Sequence, residues 1–374
     1  MDNSKPLNWE SLEDDFKNGH SIVLFLGAGV NFGGKGVDMS WNALLNHLLK
    51  YAVGQITHDK GKDISKMLLS SASEFIEGDY YCGDTIPKIA IELLKKQISI
   101  DNSFSRDVKS TIVKQTLGNK VYVKLIQNFL YERVSRDRLN NAAAAYIKSL
   151  TSGGCEIDDK GIEFFTLFSV VDLILRNNNI RAVVTQNYDQ FLCDAMTIIK
   201  ENKDYKRYVE QKTKRWAGKV RDIAPNIICE WKGQTKFVYD GINIYHVHGY
   251  IPRYDEIQAP TDNRIVLSMD EFYEDSRNVY SWQIASQLHF LSQYTCIFCG
   301  LSLDDYTNQR LLHYVKGKHH GNLYYLTARV GDNSVQDRIK NEFHEKNGLT
   351  VLYDENGYNH LYKLLKGLQY ECKR

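Results

Sequence analysis

Three short apolar runs constrain the fold of this chain more than any other feature of its sequence. They occupy residues 21–26, 180–185 and 294–298. Each run is continuous rather than alternating and stops at a glycine or at polar residues, as strands do when both faces of a parallel sheet are covered. The sequence therefore predicts three buried parallel strands.

Further strands and helices are predicted around these runs. A fourth strand is expected at residues 242–247, with later, outer strands at 322–326 and 349–353. The spacing of apolar residues predicts helices at 41–51, 162–175 and 308–315. This alternation predicts an α/β fold with a Rossmann-like, mostly parallel sheet and helices on both faces.

Residues 52–160 differ in character from the rest of the chain. Apolar residues recur there at helical spacing, and strand signals are few. The Thr-Ser-Gly-Gly sequence at 151–154 marks a return point to the sheet. We therefore expect a sheet domain made of residues 1–51 and 161–374, with a helical insertion at 52–160.

Charge excludes one broad class of partner. The 47 Lys and Arg residues against 46 Asp and Glu residues leave a net charge of +1, which argues against a whole-protein electrostatic grip on DNA or on an anionic membrane. Locally, residues 200–222 hold nine Lys or Arg and four Asp or Glu. This pattern favours a solvated helix, with a docking site for nucleic acid or an acidic partner as the alternative.

Neither a membrane helix nor a metal site is predicted. The apolar stretches fall far short of the roughly 18–20 residues that span a bilayer. The N-terminus also lacks the layout of a signal peptide, so we expect a cytoplasmic protein with reduced thiols.

Cys296 and Cys299 form a Cys-x-x-Cys inside an apolar run, but a second pair with comparable spacing is missing from the sequence. A buried strand with two small thiols is the preferred interpretation.

A glycine-rich turn, Gly27-Ala28-Gly29, follows the first apolar run. Glycine lets backbone amides approach a pyrophosphate closely, and the N-terminus of a following helix adds N–H donors. The third glycine of a full dinucleotide fingerprint is missing. A tight strand-to-loop turn without a ligand therefore stays as the alternative.

The second motif is Thr185-Gln186-Asn187-Tyr188-Asp189, at the end of a predicted buried strand. Ligands of open α/β sheets bind beyond the carboxyl ends of the strands, so the amides and the carboxylate of this motif can reach such a ligand. Alternatively, Asn187 and Asp189 cap the next helix.

The third motif is Tyr245-His246-Val247-His248-Gly249. In a strand, His246 and His248 would share one face, and the glycine would leave space for a ligand. No carboxylate or thiol lies at a spacing compatible with a metal site nearby in the sequence. His248 is therefore expected to act as a general base or an orienting residue.

The fourth motif begins at Gly300-Leu301-Ser302 and continues to Asp304 and Asp305. A strand followed by glycine and a hydroxyl can present backbone amides and the Ser302 side chain to a phosphate or a ribose. The alternative is a helix capped by one of the two aspartates.

In this order, the four motifs resemble the sirtuin superfamily, and most closely its divergent bacterial branch. That branch has a Ser-Trp-x-x-Leu-Leu helix, matched at residues 40–45, a segment similar to residues 265–273, and a Gly-x-Ser-x-x-Asp strand exit, matched at 300–305. The chain differs from the protein deacetylases in three respects. It lacks the two cysteine pairs of a zinc ribbon, it lacks Asp-Phe-Arg after the glycine turn, and it has Asn31 where a serine is usual.

The resemblance implies an NAD-binding domain that hydrolyses NAD⁺ without a metal, as in HerA-associated or Thoeris-type effectors of antiphage defence. Asn187 would hold the ribose and the attacking water, Asp189 would order the nicotinamide side, and His248 would accept a proton. The resemblance also implies NAD contacts from Gly27, Ala28, Gly29, Asn31, Thr185, Gln186, Gly300, Ser302 and Asp305.

The same resemblance implies regulation, because an NADase that is always active would kill its own cell. A homo-oligomer is expected, together with a separate sensor such as a HerA-like ATPase, and nucleic acid would be contacted only through that partner. The chain has no Gly-x-x-x-x-Gly-Lys-Ser/Thr, so an ATPase would be a second protein. Protein deacylation or ADP-ribosylation, and a non-catalytic sensor of NAD or ADP-ribose, are the alternative functions.

Overall fold

The computed structural model describes residues 5–31, 39–59, 106–151, 161–213, 220–229, 241–253, 264–267, 271, 277, 281–303, 306–329, 334–365 and 367–368. These residues fall into two compact units. The first lies within Met1–Met39, Glu132–Ile265 and Asp275–Arg374, and the second within Ser40–Tyr131 and Val266–Glu274. The domain boundaries expected at residues 51 and 160 stay a prediction.

The first unit contains a seven-stranded sheet. Its strands are β1 (Ile22–Leu26), β2 (Ile180–Thr185), β3 (Ala224–Ile228), β4 (Gly241–His246), β5 (Thr295–Cys299), β6 (Leu323–Ala328) and β7 (Thr350–Asp354). Their order across the sheet is β3-β4-β2-β1-β5-β6-β7. All six neighbouring pairs are parallel. The predicted Rossmann-like α/β fold is therefore confirmed.

Eleven helices are present among the described residues. In the first unit they are α1 (Trp9–Lys17), α4 (Arg136–Thr151), α5 (Phe165–Arg176), α6 (Phe191–Glu201), α7 (Lys203–Thr213), α8 (Trp282–Gln293), α9 (Tyr306–Val315), α10 (Ser334–Lys346) and α11 (Tyr358–Leu365). The second unit holds α2 (Trp41–Asp59) and most of α3 (Arg106–Arg133), which Gly118 interrupts with a positive φ. A 3₁₀ turn, Ala28–Asn31, follows β1.

The core lies on both faces of the central strands. Every residue of β1 and of β5 is buried, which is why their sequences read as continuous apolar runs. Val23 and Phe25 belong to the same buried cluster as Ile284 of α8 and Leu311 of α9. The intervening residues of β1 point to the opposite face. Among the helices, α5 packs against both α6 and α11.

The six predicted strands agree with the observed ones to within one or two residues, and the helices predicted at 162–175 and 308–315 are α5 and α9. The helix predicted at 41–51 continues to residue 59.

In the segment 200–222, α7 buries Tyr205 and Val209 while its charged side chains are mostly exposed. Residues 214–219 of that segment lie outside the described residues. Where the structure is described, no helix is both long and apolar enough to cross a membrane.

Candidate functional site

The strand register brings the four sequence motifs together at the carboxyl ends of the parallel strands. A single row of paired residues crosses four neighbouring strands and consists of His246, Thr185, Leu26 and Cys299. Each motif continues directly beyond this row. The chain builds the sheet on the β2 side of β1 before it crosses to β5 on the other side, so these loops lie at the topological switch point of the sheet.

Three glycines allow the loops after β1 and β5 to interlock. Gly27 N donates to Cys299 O (3.1 Å), and Gly29 N donates to Gly300 O (2.9 Å). A Cβ at Gly27 would lie 2.6 Å from Gly300 O, and one at Gly300, whose φ is +63°, would lie 2.4 Å from Val30 N. These glycines are therefore required by contact between the two loops, a reason that the interpretation as a phosphate cradle did not include.

Two hydrogen bonds determine the orientation of the Asn187 side-chain amide. The Asn187 backbone N–H donates to Thr185 Oγ1 (3.1 Å), and its side-chain Nδ2 donates to Gly27 O (3.1 Å). Because a carbonyl oxygen only accepts hydrogen bonds, this contact determines which way the amide faces. Asn187 Oδ1 is left to accept a hydrogen bond from another group, such as water or a hydroxyl.

Gln186 is oriented in a similar way by Asn308 of α9. Asn308 Nδ2 donates to Ser302 O (3.5 Å), which leaves Asn308 Oδ1 to accept from Gln186 Nε2 (2.8 Å). The Gln186 amide oxygen is thus a second potential acceptor. Through these contacts the loop after β2 is connected to the loop after β5, across β1.

Asp189 is a buried carboxyl group in the loop that follows β2. Its two oxygens accept hydrogen bonds from Asn31 Nδ2 (2.7 Å) and from Phe191 N (3.0 Å). Burial raises the pKa of Asp189 to about 7, against the opposing effect of these hydrogen bonds. At neutral pH the carboxyl is therefore poised between a hydrogen-bond donor and a charged acceptor.

The two histidines have different positions. β4 ends at His246, and Val247 and His248 form a turn before Gly249, whose φ is +106°. The expected common strand face does not occur, because the strand stops before His248. His246 Nδ1 contacts Asn187 O at 2.8 Å. Burial lowers the pKa of His248 to about 4, so its imidazole is neutral at physiological pH.

The predicted binding residues divide by exposure. Ala28, Gly29 and Ser302 are exposed, and Gln186 and Asn187 are partly buried. The remaining described candidates are buried or partly buried: Gly27, Asn31, Thr185, Asp189, His248 and Gly300. Asp305 lies outside the described residues. Of the described candidates, these exposed and partly buried residues are therefore the most accessible to a ligand.

Cys296 and Cys299 are buried in β5, as the sequence indicated. Burial raises the pKa of both thiols, and Cys296 Sγ donates to Phe290 O at 3.3 Å. Thiols in this state are poor nucleophiles and poor metal ligands. Over the described part of the chain, no group of three or more His, Cys, Asp or Glu residues is arranged to hold a metal ion.

Several residues near the site were not predicted to take part in it. The sequence patterns assign a positioning role neither to His246 nor to a second set of residues: Gln190, Asp194, Tyr250, Arg253 and Asn308. Asn308 and Gln186 are 122 positions apart, and Arg253 and Asp194 are 59 apart. No local pattern in the sequence signals such pairs.

Part of this sheet is similar to a known protein family. Residues 181–352 match the family model of the SIR2-like domain. The matched region runs from β2 into β7 and includes Asn187, His248 and Ser302, whereas the glycine turn after β1 precedes it. The match supports a sirtuin-like domain. SIR2-like domains bind NAD, and the match is consistent with an NAD-dependent enzyme. No curated protein matches the chain.

Proposed function

We propose that this chain is an NAD⁺ glycohydrolase, which converts NAD⁺ and water to ADP-ribose, nicotinamide and a proton. The observation that carries the proposal is the common register of four strands. Because of this common register, the strands that lead to Asn187, to the neutral His248 and to the Asn31–Asp189 pair all end at the same row of paired residues. The match to the SIR2-like domain supplies the expected ligand, NAD.

The reaction breaks the bond between the nicotinamide nitrogen and the ribose. It passes through an oxocarbenium-like species, so the site must position a water and stabilise positive charge at the anomeric carbon. In the proposal, Asn187 Oδ1 accepts a hydrogen bond from the ribose or the attacking water. His248, whose imidazole is neutral at physiological pH, is assigned to take the proton that this water or a ribose hydroxyl releases.

Asp189 is assigned to the nicotinamide side of the substrate. Because its pKa is about 7, a large fraction of the carboxyl is protonated at neutral pH and can donate a hydrogen bond to the carboxamide oxygen. Asn31 restrains the carboxyl through its Nδ2 hydrogen bond. The leaving group would thus meet a donor that is already oriented.

Gln186 is assigned to the ribose, because its amide oxygen suits a hydroxyl donor. The exposed backbone at Ala28 and Gly29 is assigned to the pyrophosphate, and Ser302 and Asp305 to the adenosine half. Each assignment uses the polarity of the group: backbone N–H donors for an anion, and acceptors for sugar hydroxyls.

The biological role that we propose is that of a toxic effector in antiphage defence by abortive infection. An enzyme that consumes NAD⁺ must be silent until it is needed, so we propose control through a homo-oligomer or a separate protein such as a HerA-like ATPase. The basic segment at 200–222 and the region at 52–160 are the proposed docking regions, since the sheet itself does not require them.

The test is NAD⁺ consumption and nicotinamide release by the purified chain, with and without the product of its neighbouring gene. Wild type is compared with Asn187→Ala and His248→Ala. Asn226→Ala serves as the matched control, because Asn226 is a partly buried amide that pairs with Asn243 between β3 and β4, away from the motif loops.

Turnover that both site variants abolish and the control retains would support the hydrolase. Nicotinamide release that requires a peptide or protein acceptor would instead indicate acyl or ADP-ribosyl transfer. Binding of NAD⁺ without turnover in every mixture would indicate a sensor and would refute the proposal.

A further inference from the structure

A buried segment, residues 250–253, lies against the loop that carries the proposed catalytic residues. Ile251 N donates to Tyr188 O at 2.7 Å. The Tyr250 hydroxyl donates to Gln190 Oε1 at 2.7 Å, and Arg253 N approaches the same oxygen at 3.4 Å. The segment therefore contacts the loop through backbone and side chain.

The side chain of Arg253 extends this contact to the first turn of α6. Its Nε donates to Asp194 Oδ2 at 2.6 Å, and its Nη1 donates to Val134 O at 2.9 Å. The guanidinium carbon lies 5.6 Å from the centre of the Phe191 ring. Asp194 Oδ1 in turn accepts from Gln190 Nε2 at 3.2 Å. Arg253 and Asp194 are 5% and 7% exposed, so this ion pair is held in a low-dielectric environment.

Two short paths connect this cluster to the proposed catalytic residues. Phe191, whose ring lies under the Arg253 guanidinium, donates its backbone N–H to Asp189 Oδ1. The Tyr250 ring lies 4.7 Å from the His246 ring, and His246 Nδ1 contacts Asn187 O. Asp189 and Asn187 are thus each separated from the cluster by one intervening residue.

A buried ion pair is a weak source of net stability, because desolvation offsets the Coulomb attraction. Its directional hydrogen bonds, however, restrict the geometry of the groups that it joins. We propose that Arg253, with Asp194, Gln190 and Tyr250, is a positioning residue that holds the 186–191 loop in its reactive geometry. This inference rests on the proposed function.

The decisive variant is Arg253→Met combined with Asp194→Leu, which removes both charges together and fills the space with apolar groups, so that no charge is left buried alone. The matched control is Arg176→Met with Asp172→Leu. That pair is also a buried ion pair (2.6 Å), lies within α5, and is joined to Tyr205 rather than to the site. Tyr250→Phe is the mild variant, since it removes one hydroxyl.

Three experiments are made on each variant: urea unfolding for the free energy of unfolding, steady-state kinetics for kcat and KM of nicotinamide release, and amide hydrogen exchange over residues 186–194. We expect the Arg253–Asp194 double variant to fold, to lose about 10–100-fold in kcat with a smaller change in KM, and to exchange faster in the 186–191 loop. Tyr250→Phe should follow the same trend more weakly, and the control should keep the wild-type kcat.

A folded double variant with wild-type kcat and wild-type exchange would overturn the inference, as would an equal loss of kcat in the control. If wild type releases no nicotinamide in any mixture, the proposed function fails and exchange alone decides. Faster exchange in the 186–191 loop of the double variant but not of the control would then still support positioning, and unchanged exchange would refute it.

Discussion

Asp189→Asn removes an ionisable group from the interior of the protein while it keeps nearly the same shape. Asp189 is 7% exposed and accepts hydrogen bonds from Asn31 Nδ2 and Phe191 N. Desolvation nevertheless dominates and raises its pKa from 3.8 to about 7. An asparagine can keep one acceptor and gains two donors, and it does not titrate.

The direction of the stability effect follows from which state binds the proton more tightly. The folded state retains the Asp189 proton up to about pH 7, whereas the unfolded chain releases it near pH 3.8. The stabilisation by that proton is fully present below pH 3.8 and is lost as the pH rises through about 7. At about 1.4 kcal/mol for each tenfold change in the proton equilibrium, the whole effect is about 4 kcal/mol.

The measurement is urea unfolding of wild type and Asp189→Asn at several pH values from about 5 to about 8. The asparagine variant should gain about 2–3 kcal/mol over wild type between these limits, because only wild type loses the stabilisation. Asp14→Asn, on the exposed side of α1 (67% exposed side chain), controls for the loss of one negative charge. A difference between Asp189→Asn and wild type that stays constant over this pH range would refute the reasoning.

Three further predictions concern neighbouring groups. His248→Gln should gain stability over wild type on acidification, by about 2 kcal/mol at about pH 5 in urea unfolding, because wild type loses stability as the pH falls from 6.5 towards the folded-state pKa of about 4; an unchanged difference would contradict this. Gly300→Ala should lower the free energy of unfolding by about 1–3 kcal/mol, because its Cβ would lie 2.4 Å from a backbone nitrogen. Gly317→Ala should lower the free energy of unfolding less, because Gly317 has a φ of +68° but open space around it. Asn308→Leu should raise the KM for NAD⁺ about tenfold, because it releases the Gln186 side chain. Asn308→Asp should raise the KM less, because it keeps the acceptor for Gln186 Nε2. Equal KM values for the two variants in steady-state assays would count against the orientation role.

The central strands could be predicted from the sequence because burial on both faces leaves a local trace. In β1 and β5 every residue is buried, and a run of apolar residues records that state without reference to any partner. β3 left no such trace. It is a short edge strand, mostly partly buried, and it contains Pro225, which is tolerated only where a ladder hydrogen bond is not needed.

The candidate site was predictable in composition but not in geometry. Its motifs could be recognised because polar residues and glycines follow directly after apolar strands, as at Gln186 and Gly300. The role of the glycines was not visible, because the atoms that exclude a Cβ belong to a loop about 270 residues away in the sequence. The strand face expected for His248 was also wrong, since the sequence does not mark where β4 ends.

For the six predicted strands, the sequence by itself determined which residues form them and which polar groups follow them, because both are properties of neighbouring residues along the chain. Only the tertiary structure decided that His246, Thr185, Leu26 and Cys299 share one row. It also decided which way the amides of Asn187 and Gln186 face, and that Arg253 reaches Asp194. Register and hydrogen-bond partners depend on how distant segments pack, and that packing is a property of the whole chain rather than of any local pattern.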